Sequence, residues 1–164
     1  MSITDSIASQ YLASLAMLRD AVIKCPDDVW DDRTHKNVFW HVAYHALFYT
    51  HFYLQDTQDS FTPWIKHRDQ SRSLKRSPQE TAQSVDPYGK DSILEYLAFC
   101  EQEVAERVPH LDLGAPSGFS WLPFDKLELQ IYTIRHLQQH IGELMERLAT
   151  RIDTEVNWVS LKHS

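Results

Sequence analysis

Glycine is scarce in this 164-residue chain, with four in all, and cysteine is scarcer, with two. No Gly-rich phosphate cradle can be built from so few glycines, and neither a GxSxG elbow nor a CxxC pair occurs. Cys25 and Cys100 stand far apart in sequence, without ligand or redox spacing. Reduced, buried thiols in a reducing compartment are expected, with one disulfide between them as the alternative. Positive charge is also short: 16 Lys and Arg face 23 Asp and Glu, a formal net charge of −7. That balance argues against nucleic acid and anionic membrane surfaces as partners. No uncharged apolar run reaches the roughly 18 residues of a membrane helix. The opening MSITDSIASQYLASL has no cationic segment ahead of an apolar stretch, so no secretory signal is expected. A cytoplasmic protein is the resulting expectation.

What the chain does have is hydrophobic content of 43%, aromatic content of 12% and nine histidines. Together with the low glycine content, this predicts an all-α single domain spanning residues 1–164. A first helix is expected to residue 24, capped by Thr4 or Ser6, with Ile7, Tyr11, Leu15, Leu18 and Val22 on its apolar stripe. Pro26 ends it. PDDVWDDR reads as a turn anchored by Trp30. A second helix is expected from a Thr34 N-cap through NVFWHVAYHALFYTHFYL to residue 54 or 55. It is apolar on nearly every side, the pattern of a central helix, a subunit interface, or both, and it predicts a homodimer. Residues 55–87 are polar and proline-bearing, a long crossover with a short helix over 78–85 behind a Ser77–Glu80 capping box. The third helix is expected from residue 90 or 91 to 108, where Pro109 stops it. After a turn-rich stretch, Ser120 or Asp125 opens the fourth, which ends near residue 150. The tail from 153 should dock as a short helix or strand. Short first and third joints around a long second one predict a four-helix bundle, up-down-down-up.

The fourth helix carries the chemistry. In DKLELQIYTIRHLQQHIGELMERLAT, His136 and His140 are one turn apart, so both imidazoles leave one side of the helix and can reach one point. His41 and His45 repeat the spacing in the second helix. A neutral imidazole on an apolar helix needs a partner for each ring nitrogen, and metal ligation with an outer hydrogen bond supplies both. The competing reading is a set of core or interface histidines bonded to neighbours. His35, His51, His67, His110 and His163 are expected at the surface. Tyr132 reads as a core tyrosine or a donor toward the centre, and Arg135 as a salt-bridge partner or a contact for an anionic substrate.

The fourth-helix pattern YTIRHLQQHIGEL, a histidine in an aromatic-rich second helix and the long crossover together resemble the DinB/YfiT-like superfamily of metal-dependent four-helix bundles. The resemblance covers nearly the whole length. It implies a divalent metal (Zn, Ni, Fe or Mn) on His136, His140 and one second-helix histidine, with positions left open to water or substrate. His45, which begins HALFYTHFYL, is similar to the ligand segment of the iron-binding bundle of ergothioneine sulfoxide synthases. His41, seven residues past Thr34, occupies the position used in many other members and is the alternative. Where members often carry glutamine after the glycine, HIGEL has Glu143, either a rim charge or a carboxylate near the metal and candidate general base. The implied function is a metal-dependent enzyme of thiol S-transferase or hydrolase type, acting on a low-molecular-weight thiol or another small molecule, as a homodimer. The alternative is a non-catalytic metal-binding or structural bundle linked to stress response.

Overall fold

Helix formation follows the caps. The computed structural model describes residues 2–75 and 86–162. In α1 (Ile3–Lys24), Ser2 and Asp5 form a reciprocal capping box, two residues earlier than the first predicted cap. A one-turn helix, α2 (Asp27–Trp30), replaces the expected turn. Its Trp30 is buried, and the indole N–H donates to the Tyr88 carbonyl at 2.8 Å. The second predicted helix starts later than expected: α3 (Phe39–Tyr53) follows Val38, which has no capping side chain. Thr34 is drawn away because its hydroxyl donates to Asp32 at 2.6 Å and its N–H to the same oxygen at 3.0 Å. That local carboxylate turn competes with the helix start. The third helix is α4 (Lys90–Arg107), tightened into a 3-10 turn at Val108–His110 where Pro109 removes a donor. The fourth is α5 (Lys126–Ile152), capped by Asp125, which accepts from the Glu128 N–H at 2.8 Å.

The molecule is all-helical, and no strand forms among the described residues. α1 and α3 each pack against both α4 and α5, an arrangement compatible with a helical bundle. The core draws on all four: Tyr11, Leu15 and Leu18 from α1, Tyr44 and Leu47 from α3, Ile93 and Leu97 from α4, and Leu137, Ile141 and Leu144 from α5. Burying each stabilises the fold by roughly 1.5–3 kcal/mol against its ordering cost. Contacts between helices pair Tyr53 with Tyr132 and the Asn37 carbonyl with Arg147. They also pair Tyr11 with Gln130, Met17 with Gln138, Arg19 with Glu101, and Lys90 with Asp27.

No residue of α3 is exposed. The crossover covers it: Tyr88 stacks on Tyr44 at 4.8 Å, and Trp64, stacked on Tyr96, closes the adjoining space. The apolar surface from which a homodimer was predicted is therefore consumed within one chain. The short helix predicted over 78–85 lies outside the described residues. The tail takes neither predicted form. Residues 153–162 run irregularly along α1, with Val156 buried and backbone bonds to Gln10, Asp20 and Lys24. Cys25 and Cys100 are buried free thiols. Lys126 is buried, and its ammonium donates to the carbonyls of Gln55, Asp56 and Ser117, joining the end of α3 to the loop before α5.

Candidate metal centre

The α3–α5 contact brings three histidines together. His136 Nε2 lies 3.2 Å from His45 Nε2 and 3.2 Å from His140 Nε2. One nitrogen from each lies within 4.8 Å of the others, and among the described residues this is the group of His, Cys, Asp and Glu side chains that could hold a metal ion. Two nitrogens on a tetrahedral ion with bonds of about 2.0–2.1 Å sit about 3.3 Å apart, close to both measured spacings.

Protons decide what this cluster can be. His45 Nδ1 lies 2.7 Å from the Arg72 carbonyl, which only accepts, so Nδ1 carries the hydrogen and Nε2 is a bare lone pair. His140 Nδ1 lies 3.4 Å from a Glu143 carboxylate oxygen, which fixes the same tautomer. His136 cannot answer both. Protonated at Nε2, it can donate well to only one neighbour; protonated at Nδ1, it adds a third lone pair. Its Nδ1 is buried without a partner in either case. An unpaired buried polar atom costs about 1–3 kcal/mol. Three neutral imidazoles are the donor set that a borderline divalent ion accepts.

Burial keeps two of the rings, His45 and His136, neutral. It pushes His45 down to about 3, with neighbouring His140 and His136 adding to the shift against the opposing Arg72 carbonyl bond. His136 falls to about 4, from burial first and His140 second.

Behind His140 stands a carboxylate held on both sides. Glu143 bonds His140 and pairs with Arg147, whose buried guanidinium also donates to the Asn37 carbonyl at 2.7 Å. The His140 hydrogen bond, followed by the Arg147 charge, holds Glu143 below the usual carboxylate range against the opposing effect of burial. Glu143 therefore braces a ring rather than facing the three Nε2 atoms.

His41 is elsewhere. Its Nε2 bonds the Ser71 carbonyl at 2.9 Å, and its ring stacks beside Trp40. His110 is exposed, His35 half-buried beside Asp32, and His163 lies outside the described residues. Two histidines expected at the surface are not there. His51 is buried against the Tyr96 hydroxyl at 3.1 Å, with Glu103 at 4.0 Å. His67 is enclosed between the Tyr44 hydroxyl and Asp69 and stacked on Phe48. Tyr132 packs on Phe124 and Tyr53, and Arg135 sits over the Tyr132 ring.

The aromatic nearest the cluster is instead Tyr49, its ring centroid 4.8 Å from that of His45 and 5.5 Å from that of His136. Its place one turn after His45 was the signal available in the sequence. Beyond Tyr49 lies a cavity of about 430 Å³ between α3, the crossover and Trp121. No family model, no curated protein and no solved structure matches this chain.

Proposed function

We propose that this chain is a DinB/YfiT-like protein in which His45, His136 and His140 hold one divalent ion (Zn, Ni, Fe or Mn), and that the centre activates a low-molecular-weight thiol for transfer to a small electrophile. The observation that carries the reading is the meeting of three Nε2 atoms, two of them made acceptors by the Arg72 carbonyl and the Glu143 carboxylate. Lewis acidity is what such an ion supplies when bound, enough to bring a thiol or a water toward deprotonation near neutral pH. Glu143 is committed to His140 and Arg147, so it does not serve as base for a water. A thiol, ordinarily deprotonating near ~8.5, needs no such base, which favours thiol transfer over hydrolysis. The second reading is a metal-binding bundle without catalysis, favoured by the same commitment of Glu143.

The proposed bundle runs up-down-down-up. In support, Tyr53–Tyr132 and Asn37–Arg147 oppose the ends of α3 and α5, Tyr11–Gln130 and Met17–Gln138 align α1 with α5, and Lys90 at the start of α4 pairs with Asp27, three residues past the end of α1. Free buried thiols suit a reducing, cytoplasmic setting. A homodimer is proposed on the habit of the superfamily alone.

The test is metal content after loading with zinc and desalting. Wild type should retain about one equivalent and a His136→Ala/His140→Ala variant almost none; equal content in both removes the centre. Incubating loaded protein with a low-molecular-weight thiol and a chromogenic aryl halide then separates the two readings. Thiol conjugation at the uncatalysed rate leaves the non-catalytic one.

A further inference from the structure

The cavity beside the centre has a wall of aromatic rings and a set of polar side chains, three of them exposed. Phe48, Tyr49, Phe52 and Phe61 form the apolar part, and Trp121, about half exposed, stands at its edge with its ring nearly parallel to Phe52. Arg72, Gln58, Ser73 and Tyr49 also line the space. Among the described residues, none of these four side chains has a hydrogen-bond or ion-pair partner. By contrast, the one carboxylate on the lining, Asp69, is matched with His67 at 3.2 Å. Burial holds His67 toward its neutral form, so Asp69 keeps its own charge, and Arg72 supplies the one Lys or Arg cation on the lining. Arg72 also ties the cavity to the cluster, because its own carbonyl orients His45.

We infer that this cavity is the substrate pocket of the three-histidine centre and takes a small planar carboxylic acid, its ring or conjugated chain against the aromatic wall and its carboxylate on Arg72. This rests on the metal reading proposed above. A volume of about 430 Å³ suits a small molecule and not a peptide segment. Flat aromatic walls select a flat ligand, because offset stacking adds about 0.5–1.5 kcal/mol beyond area burial. The guanidinium fork pairs both oxygens of a carboxylate, a geometry that a neutral alcohol cannot satisfy. Tyr49 bridges pocket and centre, touching His45 and His136 on one side and the cavity on the other. The three histidines do not line the cavity themselves, so Tyr49 is the side chain through which a ligand there would meet the centre.

Cinnamate and cinnamyl alcohol share one planar frame and differ in charge, which makes them suitable probes. Calorimetric titration of wild type and Arg72→Met should give cinnamate binding weakened tenfold or more by the substitution, with the alcohol bound equally by both. Arg72 is exposed and its carbonyl is untouched by the change, so the variant keeps the fold and the His45 orientation. Absence of cinnamate binding, or equal affinity in Arg72→Met, overturns the pocket. In cobalt-loaded protein, cinnamate should shift the visible ligand-field bands; binding without a shift overturns the link to the centre. Failure of wild type to retain cobalt or zinc counts against the metal reading, and cinnamate titration of that metal-free protein still decides whether the acid pocket exists.

Discussion

A buried imidazole records its surroundings as a proton affinity, and His51 shows this away from the candidate centre. Burial pushes it down from the ordinary 6.5 to about 4; Glu103 opposes the shift, while Arg107 and His67 add to it. Tyr96, Phe61 and Phe99 complete its enclosure. Unfolded chains bind the proton near 6.5 and the folded one only near 4, so protonation favours unfolding. The stability from this site is fully present above pH 6.5 and declines as pH falls toward 4. In His51→Gln, the urea midpoint should change less between those limits than in wild type. Parallel profiles would show that His51 titrates alike in both states. The sequence held the clue to its burial: His51 falls seven residues after Tyr44, two helical turns along the same inward face. Its residue type suggests the surface, and its position in the helix outweighs that.

At the scale of elements, a tight approach fixes the edge of the cavity. Gly118 adopts φ +87°, and a Cβ there would lie 1.9 Å from the Asp56 carbonyl oxygen. The loop carrying Trp121 is thereby laid directly on the end of α3. Gly118→Ala should destabilise the protein by at least about 2 kcal/mol, combining left-handed strain with a backbone clash. Chemical denaturation checks this, and a loss under about 0.5 kcal/mol would mean that the loop yields freely. Long elements were legible because periodicity is redundant. Leu137, Ile141, Leu144 and Leu148 recur along α5 at three- and four-residue steps, and Asp125 is a natural cap where a cap was needed. Short-range competition was not legible. Thr34 has the right chemistry for an N-cap, yet Asp32 two residues earlier takes both its donors. One turn of helix at Asp27–Trp30 is too short to show a period at all. The pair His136 and His140 was readable from spacing. The choice between His41 and His45 was not, since both leave α3 one turn apart and the carbonyls that receive them, Ser71 and Arg72, belong to a crossover without period.

For the whole molecule, the candidate centre links folding to metal. Its ligands come from α3 and α5, so an ion bound there closes the two helices upon each other and binds the folded state selectively. At a free zinc concentration a hundredfold above Kd, stability should rise by about 2.7 kcal/mol, or roughly 5 to 11 °C in Tm for a domain of this size. Calorimetric scans before and after chelation measure it, and His136→Ala should show no such rise; an equal rise in both would place the zinc elsewhere. The aromatic load of α3, read in the sequence as a possible interface, is spent inside one chain, because the crossover supplies Trp64 and Tyr88 as its cover. Lys126 adds a different kind of closure. Its ammonium meets carbonyl dipoles, not a carboxylate, and it meets them away from solvent. Dissolved ions that weaken surface pairs such as Arg33 with Asp31 have no access to that contact. The joint between α3 and the loop bearing Trp121 is consequently screened by salt less than a surface pair is, and the cavity mouth is anchored at its sheltered end.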